Sequence, residues 1–253
     1  MFSFFKSNRN KFSNYFPITT DIHSHILPGI DDGSPNLETS IMLIKGLKKL
    51  GINRSIATPH IISDLFRNNP NSIHGALSLL RAELQRQSID FELDAAAEYM
   101  LDPYFFELLQ NRQPLLTVYD NFILTEFSYV SPPDELSKMS FEIISAGYIP
   151  ILAHPERYSF FNRNFRMYNH LVDLGFLLQV NLLSLTGYYG KDCMKSAQYI
   201  LENNLASFVA TDLHHEKHLE MLTDKKNRIL FHEMLSHRKW NELSIGTSRS
   251  AFK

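Results

Sequence analysis

The sequence predicts an α/β fold of the TIM-barrel type, in which parallel strands close into a ring surrounded by helices. Apolar, strand-like runs alternate with helical patterns, and seven such runs occur at fairly even spacing. The first run directly follows a short N-terminal extension. Ionisable side chains lie at the ends of six of the seven runs, and barrel enzymes place their active sites at strand ends of this kind. An open, doubly wound sheet is the alternative arrangement of the same units.

The strand-like runs are short apolar stretches bounded by polar, glycine or proline residues. They are predicted at residues 19–25, 54–58, 91–97, 122–126, 149–153, 177–181 and 207–211. Between them, apolar residues recur with the helical period of 3.6 residues. Helices are therefore predicted at residues 35–50, 73–87, 103–110, 134–146, 165–174 and 191–203.

The boundaries of the first helix follow from capping residues. Ser34 has the side chain of an N-cap, and Pro35 would then occupy the first helical position, where no N–H is needed. Gly51 ends the helix because glycine readily adopts the left-handed backbone of a C-terminal cap. Between these residues, apolar side chains are spaced to form one buried face.

Composition is typical of a globular protein: 253 residues, 44% hydrophobic and 21% charged. We expect a single domain over residues 1–253, with an N-terminal extension at 1–17 and a C-terminal tail from about 223 to 253. The net charge of −2 argues against a nucleic-acid partner. The chain has one cysteine, Cys193, and neither a signal peptide nor a membrane-spanning run is recognisable. These features predict a cytoplasmic protein.

Histidine, aspartate and glutamate residues are concentrated at the ends of the strand-like runs. In a barrel all of these ends lie on one rim, so their side chains would converge. Only the sixth run, which ends in Gln179-Val180-Asn181, lacks an ionisable group. The candidate residues are His23, His25, Asp31, Asp32, His60, Glu98, Glu126, His154, Asp212 and His214.

This set of side chains predicts a metal site. In an extended strand residues i and i+2 face the same side, so His23 and His25 can both point inward. Asp212 and His214 would repeat this geometry if the backbone stays extended there. Imidazole and carboxylate ligands suit manganese, iron or zinc. The ligands are too many for one ion, so we expect two or three divalent metals, with Glu98 as a bridge.

The same residues lie in motifs that resemble the PHP (polymerase and histidinol phosphatase) superfamily. Within it, the motifs resemble the bacterial tyrosine-protein phosphatases of capsule and exopolysaccharide synthesis, the CpsB/YwqE type. The resemblance extends from about residue 20 to 214. It is carried by DIHSHILPGIDDG at residues 21–33, ATPH at 57–60, AEY at 97–99, ILAHPERY at 151–158 and TDLH at 211–214.

The resemblance implies a distorted seven-stranded TIM-like barrel, the PHP fold, with three metals, of which manganese is the expected kind and iron and zinc are alternatives. It leaves Asp31 as a turn residue or a supporting group. One metal would be held by His23, His25, Glu98 and Asp212, a second by Glu98, Glu126 and His154, and a third by Asp32, His60 and His214.

The implied activity is hydrolysis of protein phosphotyrosine by a metal-activated water, with the tail of a bacterial tyrosine autokinase as the substrate. Arg157 is the candidate for a bidentate phosphate clamp, and a salt bridge to Glu156 or another carboxylate is its alternative role. Relatives often have an arginine after the Asp-x-His motif. Residues 212–227 contain none, and Lys217 is the remaining candidate there.

Three other functions can be weighed against this one. A phosphatase for small molecules such as histidinol phosphate would use the same ligands. A nuclease is disfavoured because the chain has no basic stripe. A non-catalytic PHP module would be expected to have lost ligands, yet every expected position is filled. Cys193 does not fit a cysteine-dependent phosphatase, since the arginine required six positions later is replaced by Tyr199.

Overall fold

The computed structural model describes residues 16–162 and 164–242. Within these residues the chain alternates strands and helices, as the periodicity predicts. The strands are β1 (Thr20–Asp21), β2 (Arg54–Ala57), β3 (His60–Ile61), β4 (Glu92–Ala95), β5 (Glu98–Met100), β6 (Phe122–Glu126), β7 (Ile149–Ala153), β8 (Leu177–Asn181) and β9 (Ala206–Ala210). The helices are α1 (Leu37–Leu50), α2 (Pro70–Arg86), α3 (Pro103–Gln110), α4 (Leu136–Ser145), α5 (Arg166–Asp173), α6 (Lys191–Glu202), α7 (Glu216–Thr223) and α8 (Lys225–Leu235).

The strands form two parallel sheets, in the orders β1-β2-β4 and β3-β5-β6-β7-β8-β9. The predicted runs at 54–58 and 91–97 correspond to β2 and β4, but each is followed by a short strand, β3 or β5, that was not predicted. The first run, predicted at 19–25, is a strand only at Thr20–Asp21. After β2 the chain meets Pro59, which has no N–H to donate to a ladder. The strand ladders alone do not establish a closed barrel.

The two sheets are nevertheless connected at both of their shared edges. At the first edge the chain itself joins them, because β2 leads through Pro59 into β3 and β4 leads into β5. At the other edge the N–H of His25 donates to the carbonyl of Leu213 at 2.9 Å, and Ser24 forms a parallel bridge with Leu213. The first and last strands are thus brought side by side.

The buried apolar residues form two clusters. The larger one joins the strands to the helices, and α1 contributes Ile44 and Leu47 to it. The smaller one contains side chains from both sheets, which shows that the sheets share an interior. Its members are Ile22, Ile56, Ala96, Val118, Phe122, Leu124, Ile151, Ala153, Phe208 and Ala210.

The start of α1 differs from the prediction. Asn36, and not Ser34, is the N-cap, and its side-chain oxygen accepts from the N–H of Thr39 at 2.9 Å. The chain before it must pass very close to His25, because a Cβ on Gly33 would lie 2.1 Å from the His25 carbonyl oxygen. The end of the helix is as predicted, with Gly51 in the left-handed region at φ 93°.

The C-terminal segment contains more structure than a tail. Helix α8 lies within residues 223–253 and buries Phe231 and Leu235 completely. The Phe231 ring contacts that of Phe16 edge to face, with the centroids 6.0 Å apart. The N-terminal extension predicted at residues 1–17 otherwise lies outside the described residues. Among the described helices, none combines the length and the apolar character needed to cross a membrane.

Candidate metal centre

The candidate ligands of the second, third and fourth strand regions are positioned by strand register. His60 is the first residue of β3 and Glu98 the first residue of β5, and the two are paired in register. Glu126 is the last residue of β6 and lies opposite Met100. His60 and Glu98 therefore begin short strands instead of ending long ones. Because β3 begins soon after β2 ends, and β5 soon after β4, His60 and Glu98 still lie close to the ends of β2 and β4.

Two other ligands leave their strands through unusual backbone geometry. His154 follows β7 with φ 35°, and Asp212 follows β9 with φ 51°. Both angles lie in the left-handed region, which non-glycine residues seldom adopt. The expectation that residues 212–214 stay extended is therefore wrong. The turn at Asp212 still brings His214 close, since the His214 Nδ1 lies 3.4 Å from the Asp212 Oδ1.

The structure brings all nine predicted metal ligands together. Eight of them are buried or nearly so, and the side chain of Asp32 is 54% exposed. Their ligand atoms fall into overlapping groups in which every atom lies within 4.8 Å of the others. The groups are His23–His25–Glu98, His23–His154–Asp212, His60–Glu98–Glu126 and His25–Asp32–His60–His214.

We call His23, His25, Glu98 and Asp212 the inner cluster. The His23 Nε2 lies 3.2 Å from the Glu98 Oε2 and 3.2 Å from the Asp212 Oδ1. The His25 Nε2 lies 3.4 Å from the same Glu98 oxygen. Ligands held about 2.1 Å from one ion are separated by about 3.0–3.4 Å in octahedral or tetrahedral geometry. The spacing of the inner cluster thus matches a single coordination shell.

Glu98 also belongs to the group that it forms with His60 and Glu126. Its Oε2 is 3.1 Å from the His60 Nδ1, which in turn is 2.9 Å from the Glu126 Oε1. These three buried atoms have no hydrogen-bond partner. The other oxygen of Glu98 lies 3.0 Å from the His154 Nε2. Unpaired buried atoms that point at one another are expected where a cation belongs.

We call Asp32, His60 and His214 the rim cluster. The Asp32 Oδ1 lies 3.5 Å from the His60 Nε2 and 3.6 Å from the His214 Nε2. His60 is thus within reach of both the rim cluster and Glu98. The division of the ligands among three ions remains a prediction from the motif resemblance.

The electrostatics of the inner cluster favour positive charge. Burial lowers the pKa of His23, but the carboxylates of Glu98 and Asp212 outweigh this effect and raise the pKa well above its usual value. Burial raises the pKa of Glu98, but His23 and His60 bring it well below its usual value. Glu126 has a raised pKa because it is buried and faces the charge of Glu98. A divalent cation would satisfy the same excess of carboxylate charge.

Several ligands are oriented by neighbouring side chains. Asp31 accepts from the His25 Nδ1 at 2.8 Å and from the N–H of Gly33 at 3.0 Å, as expected for a supporting group. The hydroxyl of Tyr129 lies 3.1 Å from the His154 Nδ1. In each histidine these contacts leave the Nε2 free to face the carboxylates.

The sixth strand-like run carries none of the predicted ligands. In the structure its Gln179 and Asn181, on β8, are fully buried beside the inner cluster. The Gln179 Oε1 is 2.7 Å from the His23 Nδ1, and the Asn181 Nδ2 donates to the Asp212 Oδ2 at 2.7 Å. The sequence feature that could have predicted their role is the i, i+2 spacing of two polar residues in an otherwise apolar strand.

Arg157 lies at the edge of the same centre. Its Nη1 donates to the Asp212 Oδ2 at 2.7 Å, and its side chain is 24% exposed. The guanidinium carbon lies 4.3 Å from the centre of the Tyr189 ring and 5.3 Å from that of Tyr129. The salt-bridge partner is Asp212 and not Glu156, whose Oε1 accepts from other groups of the fold.

Lys217 and Cys193 lie in different settings. Lys217 is exposed, and its Nζ is 5.8 Å from the centre of the Tyr188 ring. Cys193 is buried in α6, and burial raises the pKa of its thiol to about 12. A thiol that remains protonated at neutral pH is a poor nucleophile.

Comparison with known proteins relates this centre to a family. Residues 19–236 match the family model described as capsular polysaccharide synthesis, CpsB/CapC. Tyrosine-protein phosphatase YwqE from Bacillus subtilis (strain 168) is 32% identical over 197 residues, which are 78% of each protein. Tyrosine-protein phosphatase CpsB from Streptococcus agalactiae is 27% identical over 199 residues, 77% of this chain and 82% of that protein.

A solved structure agrees with these matches. It comes from work on YwqE from Bacillus subtilis and CpsB from Streptococcus pneumoniae, described as unique metal-dependent tyrosine phosphatases. The superposition has a TM-score of 0.73 at 28% identity and covers 87% of this chain and 96% of the other. The resemblance found in the motifs is thereby confirmed, and the chain belongs to the CpsB/CapC family.

Proposed function

We propose that this protein is a metal-dependent phosphatase that hydrolyses phosphotyrosine in proteins. The observation that carries the proposal is the convergence of nine histidine and carboxylate ligands in overlapping groups, two of which share Glu98, with Arg157 beside them. The named activity of the YwqE and CpsB relatives supports the same function.

The ligands fit divalent metals. Their spacing, their unpaired atoms and their excess negative charge are those of a coordination site, and we expect two or three ions, manganese in the first place and iron or zinc as alternatives. Bound metals would supply an activated water and neutralise the charge of the phosphate. The protein's part is to hold the ligands in place and exclude competing water, which the burial of the inner cluster favours.

Arg157 is the group proposed to bind the phosphate. Its planar guanidinium can offer two N–H donors to two phosphate oxygens. Its guanidinium contacts the aromatic rings of Tyr129 and Tyr189. Burial lowers the pKa of Arg157, but the Asp212 carboxylate outweighs this effect and raises it. Lys217, whose Nζ lies 5.8 Å from the centre of the Tyr188 ring, is the second candidate.

The proposed substrate is a tyrosine-phosphorylated protein, specifically the tail of a bacterial tyrosine autokinase. Tyr129 is 43% exposed and next to Arg157, so its ring is available to a substrate ring. Tyr99 and Tyr158 are excluded from this role because they are buried and their hydroxyls bind backbone N–H groups.

The test is a comparison of substrates with Mn²⁺, Fe²⁺ or Zn²⁺ added to metal-free protein. We expect the phosphotyrosine peptide to have a higher kcat/KM than phosphoserine peptide, histidinol phosphate or a nucleotide. A higher kcat/KM for histidinol phosphate would move the protein to the small-molecule phosphatases. No turnover of any phosphoester with any metal would leave a non-catalytic binding module.

The architecture that goes with this function is a closed, distorted seven-stranded barrel forming one domain. Closure is supported by the hydrogen bonds between the first and last strand regions and by the passage of β2 into β3 and of β4 into β5. The apolar cluster to which both sheets contribute supports it as well. The strand ends then surround one site, as in barrel enzymes. A cytoplasmic location, where an autokinase tail would be accessible, is part of the same proposal.

A further inference from the structure

We propose that Gln179 and Asn181 form an amide relay, a pair of positioning residues that orients His23 and Asp212 toward a common metal. The proposal deepens the proposed function, and rests on it only where hydrolysis is concerned. Each contacts a ligand of the inner cluster, Gln179 at His23 and Asn181 at Asp212. Both are fully buried, so their polar atoms depend on protein partners.

The direction of each hydrogen bond follows from one fixed point. An ionised carboxylate can only accept, so the Asn181 atom 2.7 Å from the Asp212 Oδ2 must be its NH2 group. The Asn181 oxygen therefore faces Gln179, whose Nε2 donates to it at 2.9 Å. The Gln179 oxygen is left to face the His23 Nδ1 at 2.7 Å, and this nitrogen must carry a proton.

The relay thus selects the tautomer that His23 has when it binds a metal. With the proton held on Nδ1, it is Nε2 that would offer its lone pair to the metal, and this atom lies 3.2 Å from both Glu98 and Asp212. At the other end the relay holds one oxygen of Asp212, so that Oδ1 faces the metal position. Two ligands of the inner cluster are therefore aligned by one uncharged pair of amides.

The neutral character of the relay distinguishes it from the other supports. Asp31 orients His25 with a carboxylate, and Arg157 binds Asp212 with a full positive charge. An amide pair orients ligands without adding charge to a cluster that already contains two carboxylates. Its loss should therefore weaken metal binding through geometry and tautomer, by about 10-fold or more, as is typical when outer partners of ligands are removed.

Two substitutions of similar volume test the relay. Gln179→Met and Asn181→Leu remove its hydrogen bonds and keep most of the packing. The control is Asn169→Leu. It removes a part-buried hydrogen bond between the outer helices α5 and α6, in which the Asn169 side-chain amide donates to the Tyr199 hydroxyl. Zn²⁺ affinity is measured by titration calorimetry. We expect both relay variants to bind Zn²⁺ at least about 10-fold more weakly than the parent, and the control to bind within about twofold.

The double variant supplies a second measure. If Gln179 and Asn181 act as one hydrogen-bonded chain, replacing both lowers the Zn²⁺ affinity no further than replacing either one. The effects of the two substitutions on Zn²⁺ affinity should therefore not add. The tautomer is read by ¹⁵N NMR of the histidine rings in Zn²⁺-loaded protein. The parent should show a proton on the His23 Nδ1 that exchanges slowly, and Gln179→Met should shift or lose this signal.

The proposal is overturned if Gln179→Met and Asn181→Leu bind Zn²⁺ as the parent does, with an unchanged His23 signal. If one variant does not fold, the other decides the question through the same two measurements. Failure of the proposed function is recognised separately. In that case the parent would bind Zn²⁺ but would hydrolyse no phosphotyrosine with Mn²⁺, Fe²⁺ or Zn²⁺.

Discussion

The inner cluster and the rim cluster use the same kinds of ligand in different surroundings. Glu98 and His23 of the inner cluster are completely buried, whereas the side chain of Asp32 in the rim cluster is 54% exposed. Interactions between charges are weakened by water and salt at the rim and much less in the interior. We therefore expect a metal bound at the inner cluster to be held more tightly than one bound at the rim cluster, where exchange and contact with substrate would be easier.

The substitution with the largest expected effect is Glu98→Ala. Glu98 contributes atoms to two of the ligand groups, so its loss should lower metal occupancy in both and reduce kcat/KM by more than about 1000-fold. Metal content by mass spectrometry and phosphotyrosine hydrolysis check this. Glu107→Ala, an exposed glutamate on α3, is the control. A Glu98→Ala protein with the metal content of the parent would remove Glu98 from the centre.

Arg157→Ala should separate phosphate binding from metal binding. It removes the proposed charge-assisted hydrogen bonds from the guanidinium to the phosphate of the substrate, each worth about 1.5–3 kcal/mol. The expected loss in kcat/KM is on the order of 10- to 1000-fold. Metal content should not change, because Arg157 contacts Asp212 on the oxygen away from His23. Arg166→Ala, on the exposed face of α5, is the matched control.

The opposite outcome for Arg157 would also be informative. If Arg157→Ala retains its metals and hydrolyses phosphotyrosine at the parent rate, the arginine serves only as a salt-bridge partner of Asp212. Lys217→Ala would then be the next variant to measure, since it is the other cation proposed for phosphate.

Asp32→Ala sharpens the comparison of the two clusters. It should weaken the binding of one metal by about 10- to 100-fold while the inner metal remains, because only a rim ligand is lost. Stepwise removal of metal with a chelator, followed by counting of the ions retained, measures this. Asp64→Ala, which changes an exposed aspartate nearby in sequence, is the control. Simultaneous loss of all metals would show that the clusters do not bind independently.

The smallest effect is expected at the thiol. Cys193→Ser should change kcat/KM by less than about twofold, because the thiol is buried in α6 and its pKa is raised to about 12. Treatment with EDTA should abolish hydrolysis in parent and variant alike, and Mn²⁺ should restore it. An inactive but folded Cys193→Ser protein would contradict a mechanism that uses metal alone.

The sequence predicts the ligands better than the elements that hold them. Charged residues at the ends of periodic runs are visible without a structure, which is why His60 and Glu126 were found. The break at Pro59 shows only that a strand ends there and gives no indication that another begins at once in a different sheet. Gln179 and Asn181 were missed because neutral amides in an apolar run resemble ordinary polar residues until their partners are known.

Backbone conformation was equally hard to predict. From sequence, an Asp-x-His pair resembles two residues on one face of a strand. The left-handed backbone of Asp212 depends instead on contacts with the first strand region, where the Asp212 N–H donates to the His23 carbonyl at 2.9 Å. Helix α8 was taken for a tail because its pattern is weak, although it buries Phe231 and Leu235. Both features depend on tertiary contacts that local sequence does not contain.

The left-handed backbone at His154 and Asp212 has an evolutionary consequence. Such conformations cost on the order of 1–3 kcal/mol for residues other than glycine, so the chain is less stable than it would be without these ligands. In a lineage that abandoned catalysis, His154→Gly, Asp212→Asn or Asp212→Gly would relieve this backbone strain, whereas Glu98, on a regular strand, offers no such relief. Inactive descendants should therefore lose these two ligands first, and a survey of homologues with incomplete metal sites can test that order.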